Sequence, residues 1–88
     1  MSFTHGMNIA EVQALGNMLK AKAGQIRDLV AEIESKVSGT TWEGPDAQAF
    51  KGQWWPDHKS HLMSVADQVD GFGQAALNNA SEQESASR

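Results

Sequence analysis

The sequence predicts an all-α protein, an antiparallel helix-turn-helix hairpin that pairs with a second hairpin into an elongated four-helix bundle. Two long segments place apolar residues three or four positions apart, which is the spacing of one helix face. A short glycine-containing stretch separates the segments, and both carry more large apolar residues than one helix–helix contact can cover. The chain has 88 residues, enough for one small domain.

The first helix is predicted over residues 9–38. Asn8 is a suitable N-cap, and Glu11 stands three residues later, where a capping box places its acid. Gly39 follows the last apolar position and can end the helix in the left-handed conformation. The stripe of this helix consists of Val12, Leu15, Leu19, Ala23, Ile26, Val30, Ile33 and Val37.

A turn is predicted over residues 39–44 and a second helix over residues 45–77. Pro45 suits the first helical position, where a backbone N–H would have no partner. Pro56 cannot donate to the carbonyl of Gly52, which predicts a kink, with a true break into three helices as the alternative. The stripe continues through Ala47, Phe50, Trp54, His58, His61, Val65, Val69, Phe72 and Ala76, and is widened by Trp55 and Leu62.

The last part of the chain, residues 78–88, is predicted to be a flexible tail, because it contains no large apolar residue. The two helices before it expose too much apolar surface for a lone hairpin. We therefore expect a second hairpin, identical or different, to complete the core. The predicted dimer core consists of Leu15, Leu19, Ile26, Val30, Ile33, Phe50, Trp54, Leu62, Val65, Val69 and Phe72.

Composition argues against several classes of function. The net charge is −4 without a basic face, which speaks against nucleic-acid binding, and no apolar run predicts membrane insertion. The first six residues lack the pattern of a cleaved signal peptide. No catalytic set, phosphate loop or cofactor motif is visible, so we expect no enzyme and no cofactor. His58 and His61 alone make a poor metal site, so no metal is expected either. The charges of the first helix are interpreted as a solvated face: Lys20, Lys22, Arg27, Asp28, Glu32 and Lys36.

The segment between the helices reads Trp42-Glu43-Gly44 and continues as Pro45-Asp46-Ala47-Gln48-Ala49-Phe50, with Trp54 four residues later. With its mid-chain position and the chain length, this segment resembles the Trp-any-Gly (WXG) family of small type VII secretion substrates. The resemblance implies that the protein is secreted and that it leaves the cytoplasm as a folded dimer. The second subunit would be another copy of this chain or a related family member. It further implies recognition by the membrane ATPase of the secretion system, with Trp42 and Gly44 forming part of the export signal.

The chain departs from the family at the second half of that signal, a tyrosine followed four residues later by an acidic residue. It contains no tyrosine, and Phe72 is followed four residues later by Ala76. A partner could supply this half. Two alternatives stay open. In the first, the sole role of Trp42 and Gly44 is to shape the hairpin; in the second, the protein is a cytosolic helical adaptor that is never exported.

Overall fold

The computed structural model of this protein describes residues 6–86. The chain forms α1 (Ile9–Gly39), α2 (Pro45–Ala49), a π-helical turn (Phe50–Trp54) and α3 (Trp55–Ala86). From Pro45 to Ala86 the backbone is helical without interruption, so two long helical rods lie side by side in a body of 64 × 16 × 15 Å. The molecule is thus an all-helical, elongated hairpin, as the two apolar stripes predicted. The stretch from which the lack of a signal peptide was inferred lies almost wholly outside the described residues.

The two ends of α1 are closed by side chains. The Asn8 carboxamide oxygen accepts a hydrogen bond from the backbone N–H of Glu11 at 3.1 Å, as an N-cap should. At the other end the expectation of a left-handed Gly39 is wrong. Among the described glycines only Gly6 and Gly44 have positive φ, and the Thr40 hydroxyl instead donates to the carbonyl oxygen of Lys36 at 2.6 Å.

The connection between the rods comprises residues 40–44 and depends on Gly44. This residue has φ 110° and ψ 177°, a conformation that side-chain-bearing residues rarely adopt. Its carbonyl oxygen accepts from the N–H of Gln48 at 3.0 Å, and Pro45 occupies the first helical position. The sharp turn therefore leads directly into helix.

Near Pro56, where a kink was predicted, the structure has a π-helical turn in place of regular α-helix. Pro56 has no N–H, so the carbonyl of Gly52 has no donor four residues later. The N–H of Trp55 bonds to the carbonyl oxygen of Phe50, five residues back. The chain accommodates the proline by inserting one residue into the helix, a known form of helix irregularity. The alternative of a true break into separate helices is not observed.

The second rod is longer than predicted. α3 runs to Ala86 instead of ending at residue 77, and residues 78–86 are helix instead of a separate tail. Ala80 is fully buried in this extension. A small residue suffices there because the rods lie close together, whereas the prediction required large apolar residues. Ser87 and Arg88, the last residues of the predicted tail, lie outside the described range.

Small residues form the contact between the two rods, which we call the seam. On both helices its buried residues recur every seven positions, and Gly16 lies against Gly73. A Cβ built on Gly73 would stand 2.7 Å from the carbonyl oxygen of Gly16, so only glycine fits. At the two glycines the backbones lie in close contact, and the Leu77 side chain packs beside them, 2.8 Å from a Cβ built on Gly16. The seam consists of Gly16, Ala23 and Val30 of α1 with Ala66, Gly73 and Ala80 of α3.

Within residues 6–86, no helix combines the length and the apolar character that crossing a bilayer requires.

Candidate functional site

One side of the hairpin is polar and cross-linked by ion pairs. Lys20 Nζ lies 2.7 Å from Asp70 Oδ1, and Arg27 Nη2 lies 2.8 Å from Asp67 and 3.4 Å from Asp70. The interpretation of Lys20 and Arg27 as part of a merely solvated face is therefore corrected. Both reach across the seam to carboxylates of α3, because the antiparallel rods bring residue 20 level with residue 70.

A second polar cluster joins the rods nearer the turn. Glu34 accepts from Lys59 Nζ at 2.8 Å and from the indole N–H of Trp55 at 3.0 Å. The Lys59 bond, followed by the Trp55 bond, lowers the pKa of Glu34 below its ordinary value. Hydrogen bonding from Lys20 likewise lowers the pKa of Asp70. Both carboxylates are thus held in the charged form that stabilises the hairpin.

The opposite side of the hairpin is apolar. On α1, each residue that directly precedes an ion-paired residue is apolar, and it lies about 100° around the helix axis from that neighbour. The pairs are Leu19 and Lys20, Ile26 and Arg27, and Ile33 and Glu34. The same holds on α3 for Val69 and Asp70. We call this surface the apolar flank. It consists of Leu15, Met18, Leu19, Ile26, Leu29 and Ile33 of α1 with Leu62, Val65, Val69 and Phe72 of α3.

Most of the apolar flank is open to solvent in the single hairpin. The side chains of Phe72 and Leu29 have exposed fractions of 64% and 57%, although they are among the largest apolar groups in the chain. Of the predicted dimer core, only Val30 is buried within the hairpin itself, at the seam. The remaining predicted residues are partly or largely exposed: Leu15, Leu19, Ile26, Ile33, Phe50, Trp54, Leu62, Val65, Val69 and Phe72.

At the turn end of the hairpin, four rings contact one another in series, an arrangement that we call the aromatic ladder. Ring centroids lie 5.5 Å apart between Trp42 and Phe50, 5.0 Å between Phe50 and Trp54, and 4.2 Å between Trp54 and His58. The His58 Nδ1–H donates to the Trp54 carbonyl oxygen at 2.7 Å, which fixes the last ring. The π-helical turn carries Phe50 and Trp54, so it sets the positions of these two rings.

The predicted motif residues Trp42 and Gly44 lie at this same end. Trp42 packs against Phe50 on one side and keeps 43% of its surface exposed. Lys51 Nζ donates to the carbonyl oxygen of Thr40 at 2.6 Å and so ties the turn to the second rod. The turn therefore presents a partly exposed indole on a well-anchored support, which suits recognition by another protein.

Titratable groups that could hold a metal do not cluster in residues 6–86, where no group of three or more His, Asp or Glu side chains comes together. His58 and His61 have different surroundings: the His58 ring stacks on Trp54 in the aromatic ladder, whereas the His61 side chain is exposed to solvent.

Two features of this surface were missed by sequence reasoning. The ion pairs across the seam required knowledge of the helix alignment. The seam itself did leave a signal, since Gly16-Ala23-Val30 and Ala66-Gly73-Ala80 each repeat at seven residues. Trp55 was assigned to the apolar stripe and its ring is indeed buried, but the hydrogen bond from its N–H to Glu34 was not predicted.

Comparisons with protein-family models, with curated proteins and with solved structures found no match to this chain.

Proposed function

We propose that this protein is a non-enzymatic interaction protein whose apolar flank packs against a second helical hairpin to complete a four-helix bundle. One observation carries this proposal. The seam is made mainly of small residues, whereas several large apolar side chains, among them Leu15, Leu29 and Phe72, lie away from it and remain exposed. Large contiguous apolar surfaces on soluble proteins mark interaction sites.

The apolar flank occupies the middle of the hairpin. It runs from Leu15 to Ile33 on α1, roughly 27 Å at ~1.5 Å per residue, which is less than half of the 64 Å length of the molecule. Helices with two apolar sides are those expected in a bundle, where each packs against two neighbours. The seam provides one contact and the apolar flank provides the other.

We propose further that the assembled bundle is a substrate of a type VII secretion system and leaves the cell without cleavage. The support is the resemblance of the Trp42-Glu43-Gly44 turn to the WXG motif, together with the exposure of Trp42 on its anchored turn. In this proposal the secretion ATPase contacts the turn, and the partner hairpin is itself a WXG-like chain. That partner supplies the tyrosine-led half of the signal, which is absent here.

Two alanine variants separate assembly from export. Trp42→Ala removes a half-exposed ring that touches Phe50, so the helical fold and the dimer should persist while secretion is lost. Phe72→Ala alters the apolar flank far from the turn, so it should weaken assembly first. Both proteins are followed in cells and in culture medium, with and without the secretion ATPase, and their helicity is checked by circular dichroism.

Normal secretion of the Trp42→Ala protein would show that the turn carries no export signal. A protein that stays in the cytoplasm whether or not the ATPase is present would instead favour the cytosolic adaptor. Unfolding of the Trp42→Ala protein would assign the turn a structural role.

A further inference from the structure

A lysine lies in the middle of the apolar flank. Lys22 stands seven residues after Leu15 and seven before Leu29, so it occupies the same side of α1 as these two leucines. It is exposed, and its ammonium group donates a 3.4 Å hydrogen bond to the Gln25 side chain. Lys20 and Lys59, by contrast, are paired with carboxylates across the seam. Within residues 6–86, Lys22 has no acidic partner.

Covering the flank places the Lys22 ammonium at a largely apolar contact. A charge removed from water needs a partner of opposite sign, and its burial without one is strongly unfavourable. A lysine in a helix-packing stripe can select the partner and the register. Lys36 repeats the position of Lys22 seven residues after Leu29, but it lies beyond Ile33, the last flank residue of α1. The question is which chain can present a carboxylate opposite Lys22.

A second copy of this chain fits poorly in the antiparallel arrangement. Glu11, four residues before Leu15, is the carboxylate of α1 on the flank; the others lie about 80° or more around the helix from Lys22. Pairing Lys22 of each copy with Glu11 of the other would offset the two hairpins by roughly 22 Å at ~1.5 Å per residue. Ile26 and Leu29 would then extend past the end of the opposing α1 and stay uncovered.

A parallel pair of copies fits no better. When the two-fold axis runs parallel to the helices, α1 of one copy packs against α3 of the other. Residues that are level within one hairpin are then also level between the two copies. Lys20 is level with Asp70 in the hairpin, so Lys22 would face the region of Val69. The flank residues of α3 include no carboxylate there, and the two Lys22 ammonium groups would stand at the same height.

We infer that the occupant of the apolar flank is a different helical hairpin, one that carries an aspartate or glutamate opposite Lys22. This inference rests on the proposed assembly and names its partner by chemistry. Lys22 both pairs with that acid and prevents the chain from combining with itself. The native complex is accordingly a heterodimer.

Self-association of the purified chain tests the inference. Lys22→Leu joins Leu15 and Leu29 into an unbroken stripe, and should lower the dissociation constant for self-association at least tenfold. Asn17→Leu is the matched control, because it adds the same side chain at an exposed position outside the flank. Sedimentation velocity and concentration-dependent circular dichroism are measured for the wild type and both variants at neutral pH.

The result expected is weak self-association of the wild type and of Asn17→Leu, with dimers only for Lys22→Leu. A wild-type dimer with a submicromolar dissociation constant would overturn the inference and leave the proposed assembly standing. Weak self-association of all three proteins would count against the flank as an association surface, and thus against the proposed assembly as well.

Zero-length carbodiimide cross-linking tests the partner directly in the native complex. This reagent joins an amine to a carboxylate in contact with it, so Lys22 should be linked to an aspartate or glutamate of another protein. The control is a mixture of isotopically labelled and unlabelled chain, which reveals links between copies. A Lys22 link to a second copy of this chain would refute the heterodimer.

Discussion

Replacing either seam glycine by alanine should destabilise the hairpin, although alanine is the better helix former. At Gly73 a Cβ would lie 2.7 Å from the Gly16 carbonyl oxygen and 2.8 Å from Lys20 Cγ; at Gly16 it would lie 2.9 Å from the Gly73 carbonyl oxygen. Backbone atoms cannot rotate away, so the rods must separate. Overpacking of this kind costs about 1–3 kcal/mol. The helix-propensity gain of about 1 kcal/mol offsets only part of that.

Alanine substitutions at two other glycines provide controls for which the expected change in stability has the opposite sign. Gly71 of α3 and Gly24 of α1 are also helical, and a Cβ on either would meet nothing within 4 Å. Alanine there should stabilise the protein by about 0.5–1 kcal/mol. Gly71→Ala and Gly73→Ala add the same methyl group two positions apart on one helix. They should nevertheless differ by about 2 kcal/mol, or roughly 10 °C in Tm for a domain of this size.

Thermal and urea unfolding followed by circular dichroism, at one fixed protein concentration, measures all four variants. A Gly73→Ala protein as stable as the Gly71→Ala protein would refute the close backbone contact at the seam. The same conclusion would follow if Gly16→Ala matched Gly24→Ala.

The remaining predictions concern the flank, the ion pairs and the π-helical turn. In the Lys22→Leu background, Phe72→Ala should weaken self-association at least tenfold while changing the stability of the isolated hairpin by less than ~0.5 kcal/mol, since Phe72 is exposed there. Because the pKa of Glu34 is lowered, the stabilisation that its charged form gives the hairpin is complete above the ordinary pKa of 4.5 and is lost as the pH falls through the lower pKa of the folded state. Glu34→Gln should therefore reduce the loss of stability on acidification below about pH 4.5. An unchanged dependence of stability on pH in that range would exclude this role. Pro56→Ala restores a donor for the Gly52 carbonyl and should convert the π-helical turn to α-helix, so that the Trp55 N–H bonds to the Lys51 carbonyl oxygen instead of that of Phe50. A structure of the variant that keeps the bond to Phe50 would contradict the assignment of the irregularity to Pro56.

The helices could be predicted from the sequence because their large apolar residues recur at helical spacing. Ile26 and Val69, for example, indicate which side of each helix is apolar. The same residues misled the prediction of what the helices contact within the hairpin. Small residues contribute little to an apolar stripe, so Gly16 and Gly73 were not recognised as the surface along which the rods meet.

The end of α3 shows the same limit. A segment without large side chains was expected to form no contacts, yet Ala80 is fully buried because a close seam needs no more than a methyl group. At the turn, Trp42 and Gly44 were singled out from their pattern alone. The aromatic ladder that supports Trp42 includes Phe50 and Trp54 of the π-helical turn, and no simple periodicity predicts that turn.

The small-residue seam has a consequence for how long the protein survives in the cell. Since glycine and alanine bury little apolar area, the hairpin gains little stability from its own closure, and an unaccompanied chain opens often. Binding of a partner to the folded form alone adds stability that grows with the partner's concentration. For the proposed assembly we therefore expect proteases that act on the open form to remove surplus copies, so that the abundance of this chain follows that of its partner.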